Sequence, residues 1–67
     1  MFTKELKYAG HVRRFTIREG LEEGWEVREE ADSQVVRVQH YRDWHRLERA
    51  RLRIDQQVSE LEHQGWR

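Results

Sequence analysis

The sequence predicts an α+β domain in which a three-stranded antiparallel meander is followed by one long C-terminal helix, in the order β-β-β-α. Two patterns carry this prediction: apolar and polar residues alternate in residues 11–41, and apolar residues recur every three or four positions in residues 43–64. A chain of 67 residues has room for one domain, which buries only about 60% of the surface that the unfolded chain exposes. We therefore expect a single domain over residues 1–67, with its sheet in residues 11–41 and its helix in residues 43–64.

Residues 1–10 allow more than one interpretation. Phe2, Leu6 and Tyr8 share one parity, and the Ala-Gly pair that follows is a turn signal, which together would form a fourth, N-terminal edge strand. A mobile arm and a single helical turn are equally compatible with this segment. The sequence leaves these alternatives open.

Three strands are predicted from alternation and from the turns between them. The first covers His11–Glu19, the second begins at Trp25 after two glycines, and the third runs from Val35 to Tyr41. In the third strand the even-numbered valines are expected to face the core, which leaves its arginine and glutamine on the other face. The strand residues predicted to face the helix are Phe15, Ile17, Trp25, Val27, Val36 and Val38.

The helix is predicted from an apolar stripe at spacings of three and four, and both of its ends carry local signals. Asp43 is the expected N-cap, because its carboxylate can accept hydrogen bonds from the free N–H groups of the first turn. At the other end, Gly65 fits the left-handed position of a Schellman motif, in which Trp66 packs back onto Leu61. The stripe consists of Trp44, Leu47, Ile54, Val58 and Leu61, with Arg51 in the gap.

The composition limits how so small a chain can be stabilised. Cysteine and proline are absent, so the chain has no disulfide, no thiolate metal ligand and no cysteine nucleophile. Association with a second copy is the remaining means of stabilisation. No apolar run reaches the length of a signal-peptide core or a membrane span, so we expect a cytoplasmic protein without a membrane partner.

A homodimer is the leading interpretation of the helix. About 22 helical residues would span about 33 Å, whereas strands of six or seven residues cover only about 20–23 Å, so the helix would overhang the sheet. A second copy packed antiparallel would cover the overhang, and a different protein partner is the alternative cover. The residues predicted to form this interface are Arg51, Ile54, Val58, Leu61 and Trp66.

The arginines support a second interpretation, which is contact with nucleic acid. Thirteen basic and thirteen acidic side chains give no net charge, but the basic ones concentrate in the first half of the helix. Arg42, Arg46, Arg49 and Arg53 are separated by four, three and four positions, which places them in one stripe away from the apolar one.

One face of the sheet would extend this basic surface. Glu26 and Glu30 are expected on the same face, where cross-strand pairing with arginine would neutralise both charges. The tyrosine of this face would offer one aromatic ring for base stacking. The residues predicted for the basic face are Arg14, Arg18, Arg37 and Tyr41.

A metal or hydrolytic site is the third interpretation. His40, His45 and Glu48 surround the junction between the last strand and the helix, and they could bind a metal through two imidazoles and one carboxylate. Ordinary roles compete with this one, because Asp43 is needed as the N-cap and Glu48 can pair with Arg51 one turn away. Phosphate-binding glycine loops and nucleophile elbows are absent. We therefore expect a non-enzymatic protein without catalytic residues, metal or cofactor.

Three short segments carry a resemblance to a group of proteins. The runs GWEVREE (24–30), HYRDWHRLERA (40–50) and LEHQGW (61–66) resemble short uncharacterised bacterial proteins that combine a GWEVR strand with a DWHR-x-ER helix start. The resemblance implies a compact α+β domain and no particular activity. The strand meander with one helix is also similar in outline to small single-strand-binding modules, but their diagnostic motifs are absent, so this likeness concerns the fold alone.

Overall fold

The computed structural model of the chain describes residues 2–20 and 23–67. Its elements are β1 (Phe2–Tyr8), β2 (His11–Glu19), β3 (Trp25–Ala31), β4 (Gln34–Tyr41) and α1 (Trp44–His63). The strands form one antiparallel sheet in the order β1-β2-β3-β4. The predicted α+β class is therefore confirmed, and the N-terminal segment adopts the fourth strand among its alternatives.

Two-residue turns set the register of the first and last strand pairs. Ala9 and Gly10 connect β1 to β2 with φ angles of 50° and 80°, and Asp32 and Ser33 connect β3 to β4 with φ angles of 51° and 68°. Positive φ at both central residues is the type I′ geometry, whose twist matches that of the flanking strands. The Ala-Gly pair is thus the local feature that makes residues 2–8 a strand.

The core lies between one face of the sheet and the apolar stripe of α1. Phe15 is 1% exposed and Leu6 of β1 is fully buried, and both contact the helix stripe. Trp44 differs from the rest of the predicted stripe, because it is 54% exposed and lies edge-on to Trp25 with 5.4 Å between ring centroids. The buried residues are Leu6, Phe15, Ile17, Leu47, Ala50, Ile54, Val58 and Leu61.

The prediction that Val36 and Val38 face the helix is wrong. Glu29 pairs with both Phe15 and Arg37 in the two ladders, so the arginine lies on the helix side and Val38 lies on the outer side. The two valines are 62% and 40% exposed. Their place in the core is taken by Leu6 of β1, whose position depended on pairing that the sequence left open.

Both predicted helix ends are confirmed. The Asp43 carboxylate accepts a hydrogen bond of 2.9 Å from the backbone N–H of His45. At the C-terminus the Trp66 N–H donates to the Leu61 carbonyl at 3.0 Å, and the Gly65 N–H donates to the Glu62 carbonyl at 3.1 Å. These two bonds are those of a Schellman motif, and they turn the chain end back onto β1.

Candidate nucleic-acid interface

Three exposed arginines lie on one flank of α1. The side chains of Arg46, Arg49 and Arg53 form no ion pair or hydrogen bond with any other residue in the described part of the chain. The sequence explains this, because residues three and four positions away are the neighbours on a helix, and Asp43 is the only carboxylate at such a position. Its oxygen is already used to cap the helix.

Arg42 differs from the other members of the predicted stripe. It precedes the N-cap, so it lies outside the helix and does not continue the spacing of the helical arginines. It also has a contact of its own within the structure. The stripe on the helix surface therefore consists of Arg46, Arg49 and Arg53.

Arg37 of β4 extends this flank across a cleft. Arg37 and Arg53 both border a cleft of about 100 Å³ between the helix and the end of the sheet formed by β3 and β4. The cross-strand neighbour of Arg37 is Glu29, but that carboxylate accepts a hydrogen bond of 2.5 Å from Arg13. Arg37 is consequently left without an ion pair among residues 2–20 and 23–67.

The composite basic face predicted on the sheet is not formed. Arg37 and Tyr41 lie on the helix side, whereas Arg14 and Arg18 lie on the outer side. The Tyr41 hydroxyl donates a hydrogen bond to the Gln39 side chain, and its ring packs against the core. Tyr41 is thus part of the cleft wall and does not serve as a free stacking platform.

The outer face of the sheet is a neutralised surface. Arg14 contacts Glu5 at 2.6 Å and Glu30 at 3.9 Å, and Arg18 contacts Glu26 at 3.2 Å. The predicted pairing of arginine with glutamate is confirmed on this face. The positive charge of the sheet is compensated there, in contrast to the flank of the helix.

Two carboxylates have pKa values below their ordinary range. The hydrogen bond from the Arg14 guanidinium lowers the pKa of Glu5. The pKa of Asp32 is lowered first by the hydrogen bond from the Val12 backbone N–H, at 2.8 Å, and then by His11, whose Nδ1 lies 2.9 Å away. Asp32 therefore connects the β3–β4 turn to the start of β2. No sequence pattern indicates this link, because its residues lie about 20 positions apart in the chain.

Three of the five residues predicted for the dimer interface are buried within a single chain. Ile54, Val58 and Leu61 are 6%, 9% and 7% exposed within a single chain, so they have no free surface for a second copy. The Arg51 guanidinium lies over the ring of Phe2, 4.9 Å from its centroid, and Trp66 packs beside Tyr8 with 5.7 Å between ring centroids. All five residues contact their own chain, and their part in a dimer interface stays a prediction.

The three residues proposed as a metal site do not come together. His40 lies on the outer face of β4 opposite Glu26, whereas Glu48 borders a cleft on the other side of the sheet with Trp25. Within residues 2–20 and 23–67, no group of three or more histidine and acidic side chains is arranged to hold a metal ion. Arg51 stacks on the β1 aromatic ring and forms no ion pair with Glu48.

No helix in the described part of the chain is both long enough and apolar enough to cross a membrane. When compared with protein-family models, curated proteins and solved structures, the chain matches none of them. The resemblance to short bacterial proteins with a GWEVR strand stays a prediction.

Proposed function

We propose that this chain is a small, non-enzymatic interaction module that binds nucleic acid through the phosphate backbone. The contacts are made by Arg46, Arg49 and Arg53 of α1 together with Arg37 of β4. One observation carries the proposal: these four arginines have no acidic partner in the described part of the chain, while the arginines of the outer sheet face do. The module is further proposed to be homodimeric and cytoplasmic.

Like charges held together on a helix have an energetic cost. Arg49 and Arg53 are four positions apart, and Arg46 and Arg49 are three apart, which destabilises a helix by about 0.2–0.5 kcal/mol per pair. The first turn of α1 also contains no acidic residue, so the N-cap Asp43 is the only carboxylate that the described cap and first turn place at its positive end. A bound polyanion relieves both effects, so the arrangement favours phosphate contact over a passive solvated surface.

The dimensions suit a phosphate backbone. Arg46 and Arg53 are seven positions apart, so the stripe extends about 10 Å along the helix axis. Phosphates of one strand follow each other by about 3.4 Å along a duplex axis, so the stripe spans about three of them. Guanidinium groups bind phosphate oxygens through paired N–H donors, which makes arginine well suited to this contact.

The cleft bordered by Arg37 and Arg53 is of a size that suits contact with a phosphate group at the protein surface. At about 100 Å³ it can admit a phosphate group, whereas pockets for drug-sized ligands measure about 300–1,000 Å³. Arg37 and Arg53 at its rim are both exposed, so a bound group would remain in contact with solvent. This geometry supports a role in binding rather than in a reaction that requires a water-excluding site.

The test compares binding of labelled single- and double-stranded oligonucleotides over a series of salt concentrations. We expect log K to fall linearly with log salt concentration, and Arg46→Gln with Arg49→Gln to reduce that slope by about one unit per lost phosphate contact. Arg14→Gln with Arg18→Gln is the matched control, because it removes two arginines from the neutralised outer face. Its slope should equal that of the unchanged protein.

Two outcomes would contradict the proposal. One is the absence of measurable binding to both kinds of oligonucleotide at low salt. The other is binding whose salt dependence falls equally in the outer-face double variant and in the double variant of the helix arginines, since net charge alone would then explain it.

A further inference from the structure

β4 is an open edge of the sheet. It pairs with β3 on one side, and no backbone hydrogen bond from another described segment reaches its other side. The opposite edge is different, because the backbone N–H of Arg67 donates to the Lys7 carbonyl at 2.9 Å. The chain end therefore covers part of β1 and leaves β4 uncovered.

The open edge exposes apolar side chains. Val35, Val36 and Val38 are 53%, 62% and 40% exposed. Arg37 is the only arginine, lysine or acidic residue in Gln34–Tyr41, so most of the charges that usually protect an edge strand are missing. A bulge at Val36, which has no partner residue in β3, disturbs the first half of the strand and leaves the second half regular.

The total surface is also large for a compact monomer. The chain exposes 5337 Å², whereas a folded monomer of 8.3 kDa is expected to expose about 4,600 Å². The excess of several hundred Å² approaches the roughly 800 Å² that each partner buries in a standard protein interface. The formal net charge of zero imposes no long-range repulsion between two copies.

We infer that two copies of this chain pair through β4, antiparallel about a two-fold axis at Val38, to form an eight-stranded sheet. An axis at Arg37 would set two guanidinium groups directly opposite each other, and an axis at Val36 would fall on the bulge. At Val38, the valines of the two copies face each other and Arg37 lies opposite Gln39 of the second copy. Val36 then lies opposite His40 of the second copy.

This pairing completes the basic surface. A two-fold axis that relates antiparallel strands of one sheet is perpendicular to the sheet, so both helices lie on the same face. The two clefts that contain Arg37 and Arg53 become one groove, with a helix on each side and both β4 strands as its floor. The role of this groove rests on the proposed nucleic-acid contact, to which each copy contributes four arginines. The pairing through β4 does not depend on that contact.

Single cysteines give the test of the pairing. The chain contains no cysteine, so each introduced thiol reports on one position. Residues directly opposite each other in an antiparallel pair have Cβ atoms about 4.5–5.5 Å apart, close enough for a disulfide after small adjustment. We expect Val38→Cys to form covalent dimers severalfold faster under mild oxidation than Leu52→Cys. Leu52 is 62% exposed on the helix, so it is the control for random collision.

Solution mass measured by light scattering is the second arm. The unchanged chain should have twice its monomer mass, and Val38→Lys should have the monomer mass while its circular dichroism spectrum is retained, because lysine on an exposed edge blocks pairing. A monomeric unchanged chain would overturn the inference. So would a dimer in which Val38→Cys cross-links no faster than Leu52→Cys, since a different interface, or a different occupant of the edge, would then be required.

Both arms are performed without nucleic acid, so the two proposals can fail separately. A dimer that binds no oligonucleotide removes the proposed function and leaves the β4 pairing intact. A monomer that binds oligonucleotide through the helix arginines removes the pairing and leaves the proposed function intact.

Discussion

Left-handed backbone conformations cost free energy at residues that carry a Cβ atom, and Ser33 is the clearest case in this chain. Its φ angle is 68° at the second central position of the β3–β4 turn, where type I′ turns favour glycine after aspartate or asparagine. We predict that Ser33→Gly raises the free energy of unfolding by about 0.5–1 kcal/mol, because the relief of backbone strain exceeds the extra entropy of the unfolded chain. Urea denaturation measures this change.

Ser33→Ala is the matched control for that prediction. It also removes the hydroxyl but keeps the Cβ atom, so the left-handed strain remains and no stabilisation is expected. Equal stabilities of the glycine and alanine variants would mean that the turn does not hold Ser33 in the conformation described.

The lowered pKa of Asp32 predicts acid sensitivity. Its carboxylate is bound in the folded chain by the Val12 N–H and by His11, so the ionised form stabilises the fold above the unfolded-state pKa, and this contribution is lost as pH falls through the lower folded-state pKa. We predict that Asp32→Asn flattens the dependence of unfolding free energy on pH in the acid range. Asparagine retains the tendency towards left-handed backbone, so the turn is preserved.

The comparison for this prediction is Asp55→Asn on the helix. The Asp55 side chain forms no ion pair or hydrogen bond with the described residues. Denaturant midpoints measured at pH values from about 2 to 6 should keep their slope in that variant. If the slopes for the Asp32 and Asp55 variants change equally, the turn carboxylate has no special part in acid unfolding.

At the scale of elements, local signals located the helix ends and failed to orient the last strand. The helix was expected in residues 43–64 and covers Trp44–His63, because capping and the Schellman glycine act within a few residues of sequence. Alternation in β4 was also recognised. Which side of β4 is buried depends on its distant partners, and Leu6 supplied the apolar side chain that the two valines were expected to provide. That information is not local to β4.

The helix C-terminus gives a prediction about contact between elements. A Cβ atom on Gly65 would lie 2.9 Å from Cε1 of Tyr8, and Gly65 has a φ angle of 108°. We predict that Gly65→Ala lowers the free energy of unfolding by more than the roughly 1 kcal/mol expected from backbone strain alone. Thermal unfolding provides the measurement, since 1 kcal/mol corresponds to a shift of about 4–8 °C in a domain of this size.

Gly10→Ala is the control that distinguishes backbone strain from the contact with Tyr8. Gly10 has a φ angle of 80°, and a Cβ atom there would have no neighbour within 4 Å. It should therefore destabilise less than Gly65→Ala. The reverse order would show that the end of the helix does not pack against β1 through Tyr8.

At the scale of the whole molecule, the relative lengths of helix and sheet differ from those expected from the sequence. A helix of about 33 Å would overhang strands of six or seven residues, but β2 has nine residues and itself spans about 30 Å. A helix of 20 residues is about 30 Å long, so it is no longer than β2. The stripe from Leu47 to Leu61 is thereby used within one chain, and the exposed valines become the larger unburied apolar feature.

The outer face of the sheet and the flank of the helix differ in charge, and this predicts that losing a helix arginine raises folding stability while it weakens the proposed binding. Arg14 lies between two carboxylates on the outer face, whereas Arg49 lies between Arg46 and Arg53 on the flank of the helix. Arg49→Gln removes two like-charge pairs and keeps good helix propensity, so we predict a gain of about 0.4–1 kcal/mol in the free energy of unfolding.

Arg14→Gln should act in the opposite direction on the same measurement, because it leaves Glu5 and Glu30 without their shared cation. Raising the ionic strength should reduce both effects, since repulsion on the helix and attraction on the sheet are each screened. A chain that becomes more stable as it loses an arginine of its candidate binding surface keeps that arginine for a reason other than folding. If Arg49→Gln instead lowers stability, the guanidinium has a structural role in the fold, and the helix flank can no longer be treated as a surface reserved for a partner.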